Sequence, residues 1–335
     1  MTLSDVAKKA GVSVATASWA INDTPDVRIS KETVSRVKMV AEELGYQRNA
    51  LAKGLVQQSS SLIGFITDDV ATTPFAGQII QGAQNEALKQ GKTLLIINTN
   101  DNEVLEHDAF KLMLEYQVQG IIYSTWYHHE VKVPRLMADI PLVLVNCFEK
   151  PIGHISVVPN EESGGEVATD ALINNGHKKI AFINTTSVSP AKEGRLRGYM
   201  KALDEAGIQF DSKLVINAEP NQEGGYQAAK GILNMGVTAV FCHNDRVAMG
   251  LYDGLKELNA KIPEDISIVG FDDQEIISNY LHPKLSTVAL PHYDLGILGT
   301  RKLLESVNNK RSIDGKLYKI ECPIILRDSI RNIKK

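Results

Sequence analysis

The fold is decided by a repeating unit that residues 239–273 show most clearly: AVFCHNDRVAMGLYDGLKELNAKIPEDISIVGFDD. An apolar run at 239–242 is followed by an amphipathic stretch at 246–258 and a second apolar run at 267–271. Uninterrupted apolar strands separated by helices are typical of parallel sheets covered by helices on both faces. The unit therefore predicts an α/β fold built from strand–helix–strand repeats.

The same alternation occupies the chain from residue 62 onward and falls into two series, which predict two lobes. We expect one lobe over residues 62–158, completed by about 289–320, and another over 159–288, completed by about 321–335. The predicted strands are 62–66, 93–97, 120–123, 142–145, 179–183, 214–216, 239–242 and 267–271, and the predicted helices are 75–89, 103–116, 161–174, 192–206, 225–233 and 246–258.

Residues 1–46 have a different, all-helical pattern. Apolar side chains recur on one face of a short first helix, and Thr2 and Asp5 have the spacing of a capping box at its start. Gly11 then supplies a tight turn, Ser13 caps a second helix, and Ser30 caps a third that ends by Gly45. Two short helices joined by a glycine turn and braced by a third predict a helix-turn-helix head. A small helical bundle that docks another protein is the alternative.

The charge of the chain is divided unevenly. The whole sequence has a formal charge of −4, from 36 basic and 40 acidic residues. Residues 1–58 hold eight basic and six acidic residues, so the head is +2 and the remainder −6. A basic head on an acidic body is the distribution expected when only one end of a protein meets a polyanion.

The head resembles that of the LacI/GalR family of transcriptional regulators. The resemblance is carried by residues 2–7 (TLSDVA), 10–13 (AGVS) and 16–18 (TAS), by Asn22, by residues 44–46 (LGY) and by Asn49. It implies that the second helix enters the DNA major groove through its first residues. The DNA-binding positions that we carry over are Thr2, Ser13, Val14, Ala15, Thr16, Ser18, Trp19, Asn22, Tyr46, Asn49, Ala50, Lys53 and Leu55.

Trp19 departs from the family pattern, which usually has arginine at this position. Arginine reads a guanine edge in a bidentate manner, whereas tryptophan offers one donor and a large apolar face suited to thymine methyl groups. The operator sequence therefore cannot be taken from the family. Trp19 as part of the core of the head is the alternative.

Residues 47–61 predict a marginal helix that passes into a polar linker. The helical stretch is too short to be stable alone, and Gly54 costs about 1 kcal/mol relative to alanine. The plain interpretation is a tether between domains. The resemblance implies a hinge helix that is ordered on DNA, in which Leu55 wedges into the minor groove beside Lys53 and Asn49.

Polar side chains follow the predicted strands, where parallel sheets bind ligands. Their mixture of Asp, Asn, Arg and aromatic groups favours a neutral polyol such as a sugar over an anion. Residues 176–181, 195–199, 244–245 and 269–273 resemble the effector-binding core of the same family, which is similar to the periplasmic sugar-binding fold. The effector-binding candidates are Asp69, Thr73, Phe75, Trp126, Arg195, Asn244 and Asp272.

Several residues in these segments also have structural interpretations. Asp245 could cap the helix that follows it, Asp273 could hold a loop together, and His177 fits a turn better than a ligand site. Leu290 stands where the family usually has a polar ligand contact, so the resemblance does not identify the sugar. His128, His129 and Glu130 lack the i, i+4 spacing of a metal site on a helix, and an exposed polar loop explains them better.

The remaining features favour a cytoplasmic regulator that is not an enzyme. The sequence has no Walker, Rossmann, nucleophile-elbow or zincin motif, and we expect no cofactor and no metal. Its three cysteines predict free buried thiols, and the helical head and missing signal pattern disfavour a secreted solute-binding protein. The resemblance implies a homodimer on a near-palindromic operator, with a small carbohydrate as inducer or co-repressor. A global regulator stabilised by a phosphoprotein partner remains an alternative.

Overall fold

The computed structural model describes residues 1–24, 27–47, 60–71, 76–134, 140–309 and 315–334. The chain divides into two compact units, Met1–Ser60 and Ser61–Lys335.

The first unit contains three helices, α1 (Leu3–Ala10), α2 (Val14–Asn22) and α3 (Lys31–Glu43). The predicted caps are present: Thr2 and Asp5 form a capping box, and Ser13 and Ser30 each accept a backbone N–H in the first turn of the helix that follows. Gly11 ends α1 at φ 66°, a left-handed conformation that glycine adopts without cost.

These helices share a small apolar core. It consists of Val6, Ala7, Ala10, Ala17, Ala20, Ile21, Val37, Val40 and Ala41. This core holds α1 and α2 together across the glycine turn, and α3 braces both of them.

The second unit contains two lobes, each built on a six-stranded sheet. The strands of lobe 1 are β1 (Leu62–Thr67), β2 (Thr93–Asn98), β3 (Ile121–Glu130), β4 (Leu142–Phe148), β5 (Ile155–Pro159) and β11 (Leu317–Ile320). They lie in the order β11-β5-β4-β3-β1-β2, and all neighbours are parallel. Helices α4 (Gly77–Lys89) and α11 (His292–Asn309) pack on one face, and α5 (Glu103–Glu115) packs on the other.

Lobe 2 repeats this architecture. Its strands are β6 (Ile180–Thr185), β7 (Val215–Ala218), β8 (Ala239–Cys242), β9 (Ser267–Asp272), β10 (Ser286–Ala289) and β12 (Ile324–Ile325), in the order β12-β10-β9-β8-β6-β7. Only the β10–β12 pair is antiparallel. Helices α6 (Glu161–Ile173) and α7 (Pro190–Glu205) cover one face, α8 (Gln222–Met235) and α9 (Asp245–Glu257) cover the other, and a short α10 (Glu275–Ser278) follows β9.

The chain passes between the lobes after β5, after β10 and after β11. Residues 292–320 therefore add a helix and a strand to lobe 1, and residues 324–325 add a strand to lobe 2. Neither lobe is formed by one continuous segment.

Helices α8 and α9 approach each other through glycines. A Cβ added at Gly225 would overlap the carbonyl oxygen of Val247, and one added at Gly250 would overlap that of Gln222. Both faces are buried, so neither helix can move away without opening the core of lobe 2.

This contact predicts opposite effects for two glycines of α8. Gly225→Ala forces the helices apart and should cost about 1–3 kcal/mol of stability. Gly231→Ala meets no atom within 4 Å and should gain up to about 1 kcal/mol from helix propensity. Thermal unfolding followed by circular dichroism measures both, and a Gly225→Ala variant as stable as the parent would refute the close contact.

Candidate functional site

The outer face of α2 carries the side chains assigned to DNA. Val14, Ala15 and Trp19 are exposed, whereas Thr16 and Ser18 are half-buried. The Asn22 amide donates to the carbonyl and hydroxyl of Ser18, so it is held by its own helix.

Trp19 lies outside the apolar core of the head. Its side chain is 41% exposed, and the core is filled by smaller residues. The alternative that placed Trp19 in this core is therefore wrong. A large apolar face is instead presented to solvent on the helix that would enter the groove.

The other DNA-binding candidates have mixed positions. The Thr2 hydroxyl caps α1, the Ser13 hydroxyl caps α2, and Tyr46 packs half-buried against the core of the head. Asn49, Ala50, Lys53 and Leu55 lie outside the described residues.

A cavity of about 380 Å³ lies between the two lobes, at the carboxyl ends of their strands. This is the location that parallel α/β sheets use for ligands. The described residues that line it are Trp126, Tyr127, His128, Asn146, Glu161, Thr185, Ser187, Val188, Ser189, Ala191, Arg195, Pro220, His243, Asn244, Arg246, Asp272 and Leu290.

A buried charge network forms the lobe 2 wall of this cavity. Arg195 Nε donates to Glu161 Oε2 at 2.9 Å, Nη1 donates to the His243 carbonyl, and Nη2 lies 3.8 Å from Asp272 Oδ1. The guanidinium stacks on Phe271 at 3.5 Å from the ring centroid. Arg195 is thus fixed in place by its partners before any ligand arrives.

The two carboxyl groups of the network have opposite pKa shifts. Burial raises the pKa of Glu161, but Arg195 and His128 outweigh it and bring that pKa to about 2. Burial raises the pKa of Asp272 to about 6, although Arg195 and a hydrogen bond from Gln274 lower it. Glu161 is therefore the ionised partner of Arg195, whereas Asp272 is the more readily protonated group.

The lobe 1 side of the cavity is aromatic. The backbone N–H of Trp126 donates to Asp68 Oδ1 at 2.9 Å, which ties the middle of β3 to the residue that follows β1. Trp126 and Tyr127 meet edge to face, with ring centroids 5.0 Å apart. An apolar ring surface therefore opposes the charged wall.

Comparison with known proteins agrees with this architecture. Residues 2–49 match the family model of bacterial regulatory proteins of the lacI family, and residues 169–330 match a periplasmic binding protein-like domain. The transcriptional regulator GalR of Salmonella typhimurium is 35% identical over 293 residues, which cover 87% of this chain and 84% of GalR. The chain belongs to the LacI family.

Solved structures of this family have the same fold. The lac repressor dimer, bound to operator and the anti-inducer ONPF, superposes with a TM-score of 0.82 at 25% identity, covering 99% of each chain. A LacI-family regulator from Enterococcus faecium with bound ribose gives 0.65 at 26% identity, covering 82% of this chain and all of that one. This LacI-family chain is a DNA-binding transcriptional regulator with an α/β effector domain.

The cavity brings together four of the predicted effector-binding residues, Trp126, Arg195, Asn244 and Asp272. The Asn244 side chain is already used, since it caps α9 through Val247 N and donates to the Pro220 carbonyl. Asp69 is absent from the described lining, and the neighbouring Asp68 carboxylate accepts from the Trp126 N–H instead. Thr73 and Phe75 lie outside the described residues.

The prediction of an exposed loop at residues 128–130 is wrong. These residues belong to β3, which extends seven residues past the predicted strand, and His128 lines the cavity. His128 Nδ1 lies 3.4 Å from Glu161 Oε1, so this contact joins lobe 1 to lobe 2. The aromatic and histidine residues that end β3 replace the apolar pattern by which the strand was recognised.

Asn244 and Asp245, which follow β8, have other roles than the sequence predicted for Asp245. Asn244, not Asp245, caps α9. The buried Asp245 carboxylate accepts from Thr287 Oγ1 and from the Gln274 N–H, so it links the segment after β8 to β10 and to the segment after β9.

The structural interpretations of Asp273 and His177 hold. Asp273 accepts from Ser278 and Arg327, and His177 bonds Thr238 and the Arg331 carbonyl. The three cysteines are free and buried. Within the described ranges no helix is long and apolar enough to cross a membrane.

The raised pKa of Asp272 predicts that the stability of the folded protein depends on pH. Because this pKa is about 6 in the folded protein and 3.8 ordinarily, folding takes up a proton between these values, and stability falls as pH rises from about 4 to about 6. Asp272→Asn removes this titration. Between pH 4.5 and 7.5 the free energy of unfolding of this variant should therefore fall by about 2 kcal/mol less than that of the parent protein.

Urea denaturation at the two pH values measures this difference. The exposed Asp204 provides a matched control, and Asp204→Asn should follow the parent. Equal losses of stability for Asp272→Asn and the parent would show that Asp272 does not titrate in this window.

Proposed function

We propose that this regulator is a repressor of carbohydrate-use genes whose operator affinity is modulated by a small sugar-like effector between the lobes. The observation that carries the proposal is the cavity itself, with Trp126 on one wall and the Arg195–Asp272 pair on the other. Sugars combine an apolar ring face with hydroxyls that donate and accept. A stacked aromatic opposite a guanidinium and a carboxylate matches both properties.

The two lobes give such a ligand a way to act at a distance. Its binding residues belong to both sheets, so a bound effector favours the lobe arrangement in which they meet. Couplings of this kind are typically about 1–3 kcal/mol. We propose that the shift reaches DNA through residues 47–61, where Asn49, Ala50, Lys53 and Leu55 form a hinge whose leucine enters the minor groove.

On the DNA side we propose a homodimer that acts in the cytoplasm and presents two heads to a near-palindromic operator. Val14, Ala15, Thr16, Ser18 and Trp19 would meet the major groove, and Thr2, Ser13, Asn22 and Tyr46 would support or contact the backbone. Trp19 is the residue that sets this operator apart, because its exposed face favours thymine methyl groups over a guanine edge.

Truncation of Trp19 tests this assignment. Trp19→Ala should weaken binding to the native operator about tenfold, since apolar base contacts are lost while phosphate contacts remain. Met39, 64% exposed on α3, supplies a control truncation of an exposed apolar side chain in the same unit. Fluorescence anisotropy at fixed salt measures both, and equal affinities of Trp19→Ala and Met39→Ala would count against the assignment.

A sugar panel tests the effector site. A matching carbohydrate should raise the thermal midpoint of the full-length protein and change its operator affinity. Trp126→Ala should raise the ligand concentration needed for these effects at least about tenfold, because stacking is lost. It should leave operator binding without ligand unchanged. Met200→Ala, on the exposed side of α7, is the control. If no carbohydrate has either effect, the proposed effector class is wrong.

A further inference from the structure

Two nitrogen atoms on the lobe 2 wall of the cavity are buried without a hydrogen-bond partner. They are His243 Nδ1, directly after β8, and Arg246 Nε, in the first turn of α9, and both residues line the cavity. His243 is only 7% exposed, and burial lowers its pKa well below the usual value, so its ring is neutral, with one nitrogen that donates and one that accepts. Buried polar groups in native proteins are normally paired, which points to a partner that the ligand supplies.

The neighbouring hydroxyls are also left as donors. Thr185 Oγ1 accepts from the Ser187 N–H, and Ser189 Oγ accepts from the Lys192 N–H. Each hydroxyl hydrogen therefore remains available toward the cavity that both residues line. The ends of β6 and β8 are adjacent in the sheet, so these groups belong to the same region as His243 and Arg246. Arg246 Nε, Thr185 and Ser189 thus present donors in this region, and His243 Nδ1 joins them in the tautomer that carries its proton there.

The charges of this region differ in how they are balanced. Arg195 is paired with Glu161, whereas in the described part of the chain Arg246 forms no ion pair within 4 Å. Lys192, in the first turn of α7, donates only weakly to the Thr186 carbonyl at 3.4 Å.

The nearby carboxylates are already engaged. Asp272 is bonded by Gln274 and lies 3.8 Å from Arg195, and Glu219 accepts from Thr186. Among the described residues Arg246 therefore faces the cavity without an ion pair within 4 Å, and its longer-range effect is to help lower the pKa of Asp272.

We propose that the effector is a hydroxylated ligand bearing an anionic group, phosphate or carboxylate, which Arg246 and His243 bind. This inference rests on the proposed function and narrows its ligand class. An anionic oxygen only accepts hydrogen bonds, so it satisfies the open donors, and a guanidinium binds such a group more strongly than a neutral hydroxyl. The hydroxyls of the ligand would remain with Asp272, one strand along the sheet.

The proposal replaces an expectation from sequence. The mixture of Asp, Asn and Arg at the strand ends favours a neutral polyol when every charge is counted equally. In the structure the two arginines differ, because Glu161 neutralises Arg195 whereas Arg246 has no ion pair within 4 Å among the described residues. His243 and Arg246 were not singled out as site residues, although His243 directly follows a predicted strand and Arg246 begins the next predicted helix.

Isothermal titration calorimetry with full-length protein tests the proposal. The probes are neutral hexoses, the same hexoses as 1- and 6-phosphates, and the corresponding uronates. The parent protein should bind at least one anionic probe about tenfold or more tightly than its neutral counterpart. Phosphates and uronates form separate arms, so the result also identifies which anionic group is bound.

Three variants assign the preference to Arg246. Arg246→Ala should reduce the ratio of anionic to neutral affinity to within about threefold, and Arg246→Lys should keep part of it, since lysine retains the charge without the planar fork. Lys256→Ala, a lost cation on the outer part of the same helix, should keep the full preference. Thermal midpoints check that each variant is folded.

The outcomes separate this inference from the proposed function. If neutral sugars bind as well as their anionic forms and still change operator affinity, the anionic class is wrong and the effector site stands. A preference that survives Arg246→Ala refutes the role of Arg246. If no probe binds at 10 mM, both proposals fail.

Discussion

The ion pair between Arg195 and Glu161 is the interaction on which the cavity depends. It joins α7 to α6 beneath the carboxyl ends of the lobe 2 strands, and Phe271 supports the guanidinium from below. Removing one partner of such a buried pair leaves an uncompensated charge, which costs more than the pair contributes. The same arginine bonds the His243 carbonyl and approaches Asp272. A single side chain therefore contacts both the residue that follows β8 and the last residue of β9.

This pair also determines which charges are available to a ligand. Glu161 is committed to Arg195, and its low pKa keeps it ionised in that role. Asp272 is left with a raised pKa and a hydrogen bond from Gln274, and Arg246 is left without an ion pair in the described ranges. A count of the charged residues at the strand ends predicts a neutral site. Their contacts instead show one fixed ion pair, Arg195–Glu161, and one cation without an ion pair in the described part of the chain, Arg246. The chemical character of the cavity lies in the pairing, not in the composition.

The sequence predicts the strands and helices of the two lobes well where their patterns are uninterrupted. Residues 239–242, 246–258 and 267–271 nearly coincide with β8, α9 and β9, because buried parallel strands are apolar on both faces. It predicts the site less well. His128 lies in a part of β3 that is no longer apolar, and Asn244 and Asp245 divide capping and strand-tying roles that sequence cannot apportion. These roles depend on contacts between strands far apart along the chain.

The distribution of chemistry between the lobes constrains how a ligand could control DNA binding. The fixed charges and most of the unpaired polar atoms are in lobe 2, whereas lobe 1 contributes aromatic rings, Asn146 and His128. A ligand held by its polar groups would therefore remain with lobe 2, and its effect on the lobe arrangement would depend on contact with Trp126 and on the His128–Glu161 contact. Only interactions that differ between the two arrangements can shift their populations. The polar part of the affinity is thus assigned to lobe 2, whereas Trp126 of lobe 1 adds both stacking and the regulatory contact. A molecule held by lobe 2 alone would therefore occupy the site without altering the operator complex.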